Sequence, residues 1–329
     1  MNIGITSSIP IEVVYAAGHT PCDLNNLFIN DPDPNRFIRG AEESGFPRTT
    51  CAWIKGIYGV LQGALCEKNI ETVIIVSGGD CSNSIALGEV LSHDGKRIIP
   101  FSYPLTPNPK EMEQAISRLA SELGAEADKI SACKKQLDSI RYKLTELDRL
   151  TWQKMLVTGE ENLLCLVSSS DFNGNPKNFS TELDNFLEMA RQRQPLQKKI
   201  RLGLAGVPPI LSDLYKVLDK LDVAVAYNEV PRQFSMPWAP ESTIAEQYTR
   251  YTYPYQVERR LYDIEQACKQ RQLDGIIHYT QSFCFRQIED ILFKRTLSVP
   301  TMTLEADQPG AVDGRTLTRI ETFIEMLQN

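Results

Sequence analysis

Twice this chain runs the same short programme. An apolar, β-branched stretch leads into a tight turn that carries a cysteine, and a helical pattern follows. The first instance is ETVIIVSGGDCSNS (71–84), continued by IALGEVLSHDG. The second is DGIIHYTQSFCFRQIED (274–290). An unbroken apolar run bounded by turn residues predicts a strand buried on both faces, and that belongs to a parallel sheet covered by helices. KRIIPFSYP supplies the next strand after the first helix, and strand–helix–strand order requires parallel pairing.

The rest of the pattern repeats the theme. KIRLGLAGVPP, DVAVAYNEVP and VPTMTLEAD read as strands. ILSDLYKVLDKL, residues 254–272, CFRQIEDILFKR and GRTLTRIETFIEMLQN read as helices. Near the start, IPIEVVYAAG is a helix or an extended entry segment. Cys51 to Asn69 reads as one helix, with Gly56, Gly59 and Gly63 near helical spacing. Glycine costs helix propensity, so close packing on another element is the expected reason. Residues 107–160 carry long helical periodicity, 168–180 read as a polar loop and TELDNFLEMARQRQP as a helix. The expected fold class is α/β, with two doubly wound domains joined by a helical excursion. The expected divisions are 1–106, 107–195 and 196–329.

Ligands of doubly wound sheets gather beyond the carboxyl ends of the strands. Cys81 and Cys284 sit at such ends, and Cys51 opens the helix before the 71–77 strand. Helix starts offer unpaired N–H groups and a positive dipole end, which is expected to lower a thiol pKa and favour metal-binding thiolate. Three thiolates from separate segments suit an iron–sulfur cluster with one open corner. Cys22 is expected in a loop within reach of the same site. Cys66 would stand about 22 Å along a continuous helix from Cys51. Cys133, Cys165 and Cys268 fall inside helical patterns, where a cysteine is ordinarily a small hydrophobe. On the 275–281 strand, alternation places Tyr279 and Gln281 on one face and His278 on the other. Gln281 is a candidate proton or hydrogen-bond donor, with His278 a weaker one. Glu12, Glu229 and Glu305 are possible relays, or simply solvated carboxylates.

Several classes are set aside. No GxxxxGK[ST] is present, and the glycine turns are not GxGxxG, so nucleotide sites are not expected. Paired CxxC zinc spacing and ferredoxin spacing are both missing. A net charge of −7 argues against a nucleic-acid surface. No run nears the roughly 18 apolar residues of a membrane span, and the first residues lack a signal-peptide pattern, so a cytoplasmic protein is expected. In a reducing compartment its eight cysteines are thiols or metal ligands.

The order PIEVVYAAG, TCAWIKG, GGDCSNS, HYTQSFCFRQIED and TRIETFIE resembles the 2-hydroxyacyl-CoA dehydratase family along nearly the whole chain. The resemblance implies a D-component subunit in which Cys51, Cys81 and Cys284 hold an iron–sulfur cluster. It also implies low-potential electrons from a separate ATP-hydrolysing activator, a homodimer with its own [4Fe–4S] cluster. PCDLNN and the additional cysteines resemble the homodimeric double-cubane members, whose [8Fe–9S] cluster takes six thiolates. That would recruit Cys22, Cys66 and Cys165, and the protein would be an anaerobic reductase of a small molecule. The alternatives are a dehydratase subunit with a single [4Fe–4S] cluster, acting through a ketyl radical, and a non-catalytic cluster carrier.

Overall fold

A computed structural model describes residues 1–62, 69–238 and 242–328. The first half runs β1 (Asn2–Ile5), α1 (Ile11–Ala16), β2 (Thr20–Asp23), α2 (Leu24–Ile29), α3 (Asn35–Glu43), α4 (Ala52–Val60), β3 (Ile70–Gly78), α5 (Ser82–His93), β4 (Arg97–Ser102), α6 (Pro109–Leu123) and α7 (Ala127–Trp152). It continues α8 (Gly159–Ser168), α9 (Pro176–Arg191), β5 (Ile200–Gly206), α10 (Leu214–Lys220), β6 (Val223–Asn228), α11 (Glu229–Phe234), α12 (Ile244–Arg250), α13 (Val257–Arg271), β7 (Gly275–Gln281), α14 (Asp290–Thr296), β8 (Thr301–Ala306) and α15 (Gly314–Gln328). Two compact units emerge, each gathered from separate stretches. Unit 1 holds Met1–Tyr142, Ser168–Ser180 and Met236–Tyr255; unit 2 holds Lys143–Val167, Thr181–Ser235 and Gln256–Asn329.

Each unit is built on a four-stranded, all-parallel sheet. The orders are β2-β1-β3-β4 and β6-β5-β7-β8, so the same topology occurs twice. The central strands are the long apolar runs. In β3, Val73, Ile74, Ile75 and Val76 are all at most 2% exposed, and every residue of β7 is buried. Burying one such side chain contributes about 1.5–3 kcal/mol, and β-branched residues fit the pleat. In unit 1 the chain moves one way from β1 to β2 and the other way to β3 and β4. Right-handed crossovers therefore put α1 on one face and α4 and α5 on the other. The packing agrees, since α4 lies against α5 and α1 against α6. In unit 2, Leu261, Ile264, Ala267 and Cys268 of α13 join Ala226, Tyr227, Ile276 and Phe293 in one core.

The sequence did not announce β1 or β2. Both have four residues, and β2 (TPCD) contains a proline and an aspartate. It is an edge strand, where a missing N–H is tolerated. The helix expected from Cys51 to Asn69 ends at Val60, so the axial argument against Cys66 no longer applies; Cys66 and Gly63 lie outside the described residues. Gly56 and Gly59 do pack closely. A Cβ on Gly56 would meet the Phe28 ring at 2.4 Å, and one on Gly59 the Phe37 carbonyl oxygen at 2.3 Å. The segment 168–180 is no solvated loop: Ser169, Ser170, Asp171 and Phe172 are buried. CFRQIEDILFKR is also not one helix. A 3₁₀ turn at Phe285–Gln287 precedes α14.

Candidate functional site

The winding of each sheet reverses between its two central strands. In sheets of this kind ligands gather at that point, outside the carboxyl ends. Cys81 follows β3 and Cys284 follows β7, so the two occupy equivalent places in the two units. Cys51 caps the start of α4, at the same end of the unit 1 sheet. Because α4 packs on α5, Cys51 and Cys81 head neighbouring helices.

Cys81 is half-buried at the N-cap of α5. Its backbone N–H donates to Asp80 Oδ1 at 2.8 Å, and its Sγ lies 3.8 Å from Ser84 Oγ. Gly79 makes the approach with φ +91, and a Cβ there would come within 2.7 Å of Pro254. Only glycine holds such a turn without strain. The expected lowering of the thiol pKa is not found at Cys81. Burial and the Asp80 carboxylate push it up, against a smaller opposing pull from the N–H groups of Ser84 and Asn83. Cys51 is half-buried, and one turn on Lys55 is only 1% exposed, its ammonium held by Glu42 at 2.7 Å and the Arg48 carbonyl at 3.0 Å. Cys284 caps the 3₁₀ turn, its N–H donating to the Gln281 carbonyl at 3.1 Å. Phe283 beside it has φ +63 and is 62% exposed.

The remaining cysteines differ in kind. Cys22 lies within β2, opposite Gly4, and is wholly buried, so the expected loop is a strand. Cys165 is inside α8, where burial and Glu161 push its thiol up to about 11. Cys133 is inside α7, and Cys268 in the unit 2 core is pushed up to about 12 by burial and Glu265. No described cysteine forms a disulfide, and among the described residues no three His, Cys, Asp or Glu side chains are grouped as a metal site.

The side chains of β7 follow the expected alternation. Tyr279 donates to Gln281 Oε1 at 3.2 Å, and Gln281 Nε2 donates to the Asp307 carbonyl at 2.6 Å. Gln281 is thus engaged at both ends. On the other face His278 Nδ1 meets Asp290 Oδ1 at 3.0 Å, and its ring stacks on Phe293 at 3.9 Å. Glu12 and Glu229 are fully buried, whereas Glu305 is exposed.

A family model for the 2-hydroxyglutaryl-CoA dehydratase D-component matches residues 6–327. The chain belongs to that family. No curated protein matches it. As a D-component protein it is a component of a dehydratase-type enzyme, and none of its described helices is long and apolar enough to cross a membrane.

Of the two buried acids that close the strand ends in this D-component protein, sequence reading missed Asp23 and offered Glu229 only as a possible relay, without its partners. At the carboxyl end of β2, Asp23 accepts from Ser170 Oγ at 2.5 Å, and its own N–H donates to Asp171 Oδ2 at 2.7 Å. Burial pushes the Asp23 carboxyl up, against the hydrogen bonds from Ser170 and Asn25. In unit 2, Glu229 accepts a two-armed bond from Arg260 (Nε and Nη2, both 2.8 Å) and one from the Gly206 N–H at 2.8 Å. Burial raises the Glu229 pKa, yet Arg260, the Gly206 N–H and His278 together outweigh it and the net shift is downward. No periodicity marks such residues. The one signal was a charge standing directly after an apolar strand, as in YNEVP.

Proposed function

We propose that this protein is the iron–sulfur component of a 2-hydroxyacyl-CoA dehydratase-type enzyme, with Cys51, Cys81 and Cys284 as ligands of one [4Fe–4S] cluster. The observation that carries this reading is placement. Two cysteines stand at equivalent switch points of the two sheets, and a third heads the helix beside one of them. The donor chemistry fits: soft thiols at turns, with the N–H groups of helix starts close by to receive bridging sulfides. Three ligands leave one iron open. When bound, the cluster would supply one-electron reduction and a Lewis-acidic corner. The chain's own part is to hold the thiolates at the carboxyl ends of its sheets. The substrate class is a small 2-hydroxyacyl thioester.

By resemblance to its family, the electrons would come from a separate ATP-hydrolysing [4Fe–4S] activator, and the lack of a phosphate-cradling glycine loop in this sequence agrees with that division of labour. A homodimeric reductase with a double cubane is the less supported reading. It asks Cys22, Cys66 and Cys165 to ligate, whereas Cys22 is sealed within a strand and Cys165 is a high-pKa helical thiol.

The test is iron and acid-labile sulfide per chain after anaerobic preparation. About four iron atoms are expected, and about eight would restore the double cubane. Serine at position 51, 81 or 284 should lower iron content, while Cys165→Ser should not. Full iron retention in Cys51→Ser, Cys81→Ser or Cys284→Ser removes that residue from the set. Tight stoichiometric ATP binding by the chain alone would refute the division of labour with an activator.

A further inference from the structure

The segment that carries Cys284 has little to hold it down. Phe283, Phe285, Ile288, Ile291 and Leu292 are 62%, 48%, 73%, 50% and 37% exposed. Apolar burial therefore fixes this turn weakly, and its position must come from the few groups that do reach the core. Phe293 is one, with no exposed surface, and Asp290 is another, bound by His278 and by Thr303 Oγ1 at 2.6 Å. Arg286, 6% exposed, is a third, and Glu289 is a fourth. The Glu289 carboxylate takes Arg260 Nη1 at 2.6 Å and Arg286 Nη1 at 3.0 Å.

Arg260 is the centre of this arrangement. It is fully buried on α13, and its guanidinium lies over the Phe293 ring at 5.4 Å. Two arms grip Glu229, which also receives the Gly206 N–H from the end of β5. The remaining arm reaches Glu289. One rigid fork thus ties the carboxyl ends of β5 and β6 to the turn after β7. A planar guanidinium can serve two carboxylates at once, and an ammonium cannot reproduce that geometry.

We infer that Arg260 is a positioning residue for Cys284, acting through Glu289 to fix the turn and to set the electrostatic field at that thiolate. The inference rests on Cys284 being a cluster ligand. It assigns no contact between Arg260 and the cluster.

The experiment compares wild type, Glu289→Gln, Arg260→Lys and the control Glu258→Gln, an exposed residue of the same helix. Glu289→Gln keeps shape and leaves the Arg260–Glu229 pair intact, so the chain still folds. Hydrogen exchange of residues 282–292 is measured on the metal-free full chain. Iron content and the cluster's midpoint potential are measured on the anaerobic one. Exchange in 282–292 should rise about tenfold in Glu289→Gln, the scale of a lost charge-assisted hydrogen bond. The midpoint potential should move upward, since a negative charge near the cluster is removed. Arg260→Lys should loosen the same segment, and Glu258→Gln should change neither quantity. Unchanged exchange and potential in Glu289→Gln, with wild-type iron content normal, overturn the inference and leave the cluster assignment standing. A wild-type chain that takes up no iron overturns both.

Discussion

Glu12 stands at 0% exposure in unit 1, and Arg141 at 1%. Arg141 Nη1 donates to Glu12 Oε1 at 2.6 Å and to Asp138 Oδ1 at 2.9 Å, and Tyr248 donates to Glu12 Oε2 at 2.9 Å. Burial lowers the Arg141 pKa, but Glu12, Tyr248 and Asp138 together raise it above the ordinary value, so it carries its charge at any working pH. Arg141→Met removes the cation and leaves Glu12 with a single neutral donor. Asp138 retains Lys134 and Gln247 and suffers less. Breaking a buried pair from one side costs about 3–5 kcal/mol. For a body of 150–250 residues this is about 6–20 °C in the thermal midpoint. Glu12→Gln/Arg141→Met should recover at least about half of that loss, because the stranded charge is gone. The assay is thermal denaturation followed by circular dichroism at pH 7. A midpoint shift in Arg141→Met of less than about 2 °C would mean that Glu12 reaches water. A role for Glu12 as the buried anchor of Arg141, which these contacts assign it in place of a relay, would then be refuted.

Asp290 gives a pH signature. Burial raises its carboxyl pKa, but the hydrogen bonds from His278, Lys294 and Thr303 more than offset this and hold it well below the usual range. A depressed folded pKa contributes stability above the ordinary carboxyl pKa, and that contribution is lost as pH falls through the folded value. The difference in thermal midpoint between wild type and Asp290→Asn should therefore be level from pH 8 to about 5 and shrink below about pH 4; a difference that widens on acidification contradicts it. Gly59→Ala places a methyl group 2.3 Å from the Phe37 carbonyl oxygen. It should cost roughly 1–3 kcal/mol by urea denaturation, as overpacking does, and an unchanged urea midpoint would show that α3 and α4 yield easily.

What the sequence disclosed follows the size of each signal. β3, β5, β6 and β7 are long apolar runs, and burial on both faces makes such runs conspicuous. β1 and β2 have no comparable run. NIGI is half small or polar, and TPCD survives as a strand only because it lies at an edge and pairs with β1 from Thr20 to Asp23. Residues 168–180 misled for the opposite reason. Their serines and aspartate look solvated, yet they satisfy buried partners at the end of β2: Ser170 donates to Asp23, and the Asp171 carbonyl accepts from Tyr15 at 2.5 Å. Local polarity carries no record of a partner 147 residues away. The turn positions of Cys81 and Cys284 were legible because a break after a long apolar run has few other meanings, and that of Cys51 because it follows a proline-containing loop and opens a helical pattern. The field at Cys81 was not, since it depends on burial and on the rotamer of Asp80 as well as on a helix start.

The repeated topology bears on why the proposed ligands number three. If each unit contributed in the same way, four cysteines would be expected. Two would follow the third strand of each sheet, and two would head the helix that leads into it. Cys81 and Cys284 satisfy the first pair. Cys51 at the start of α4 is one half of the second, and its counterpart in unit 2 is the start of α13, which leads into β7. That position is held by Gln256, in the sequence YPYQVERR, with no cysteine near it. The same helix instead carries Arg260, bound to Glu229 and Glu289. Where unit 1 spends its helix start on a thiol, unit 2 spends its helix on an ion chain that steadies the turn of Cys284. A cubane held by three thiolates has one iron without a protein ligand, and an open iron is what a reacting cluster needs and a pure electron carrier does not.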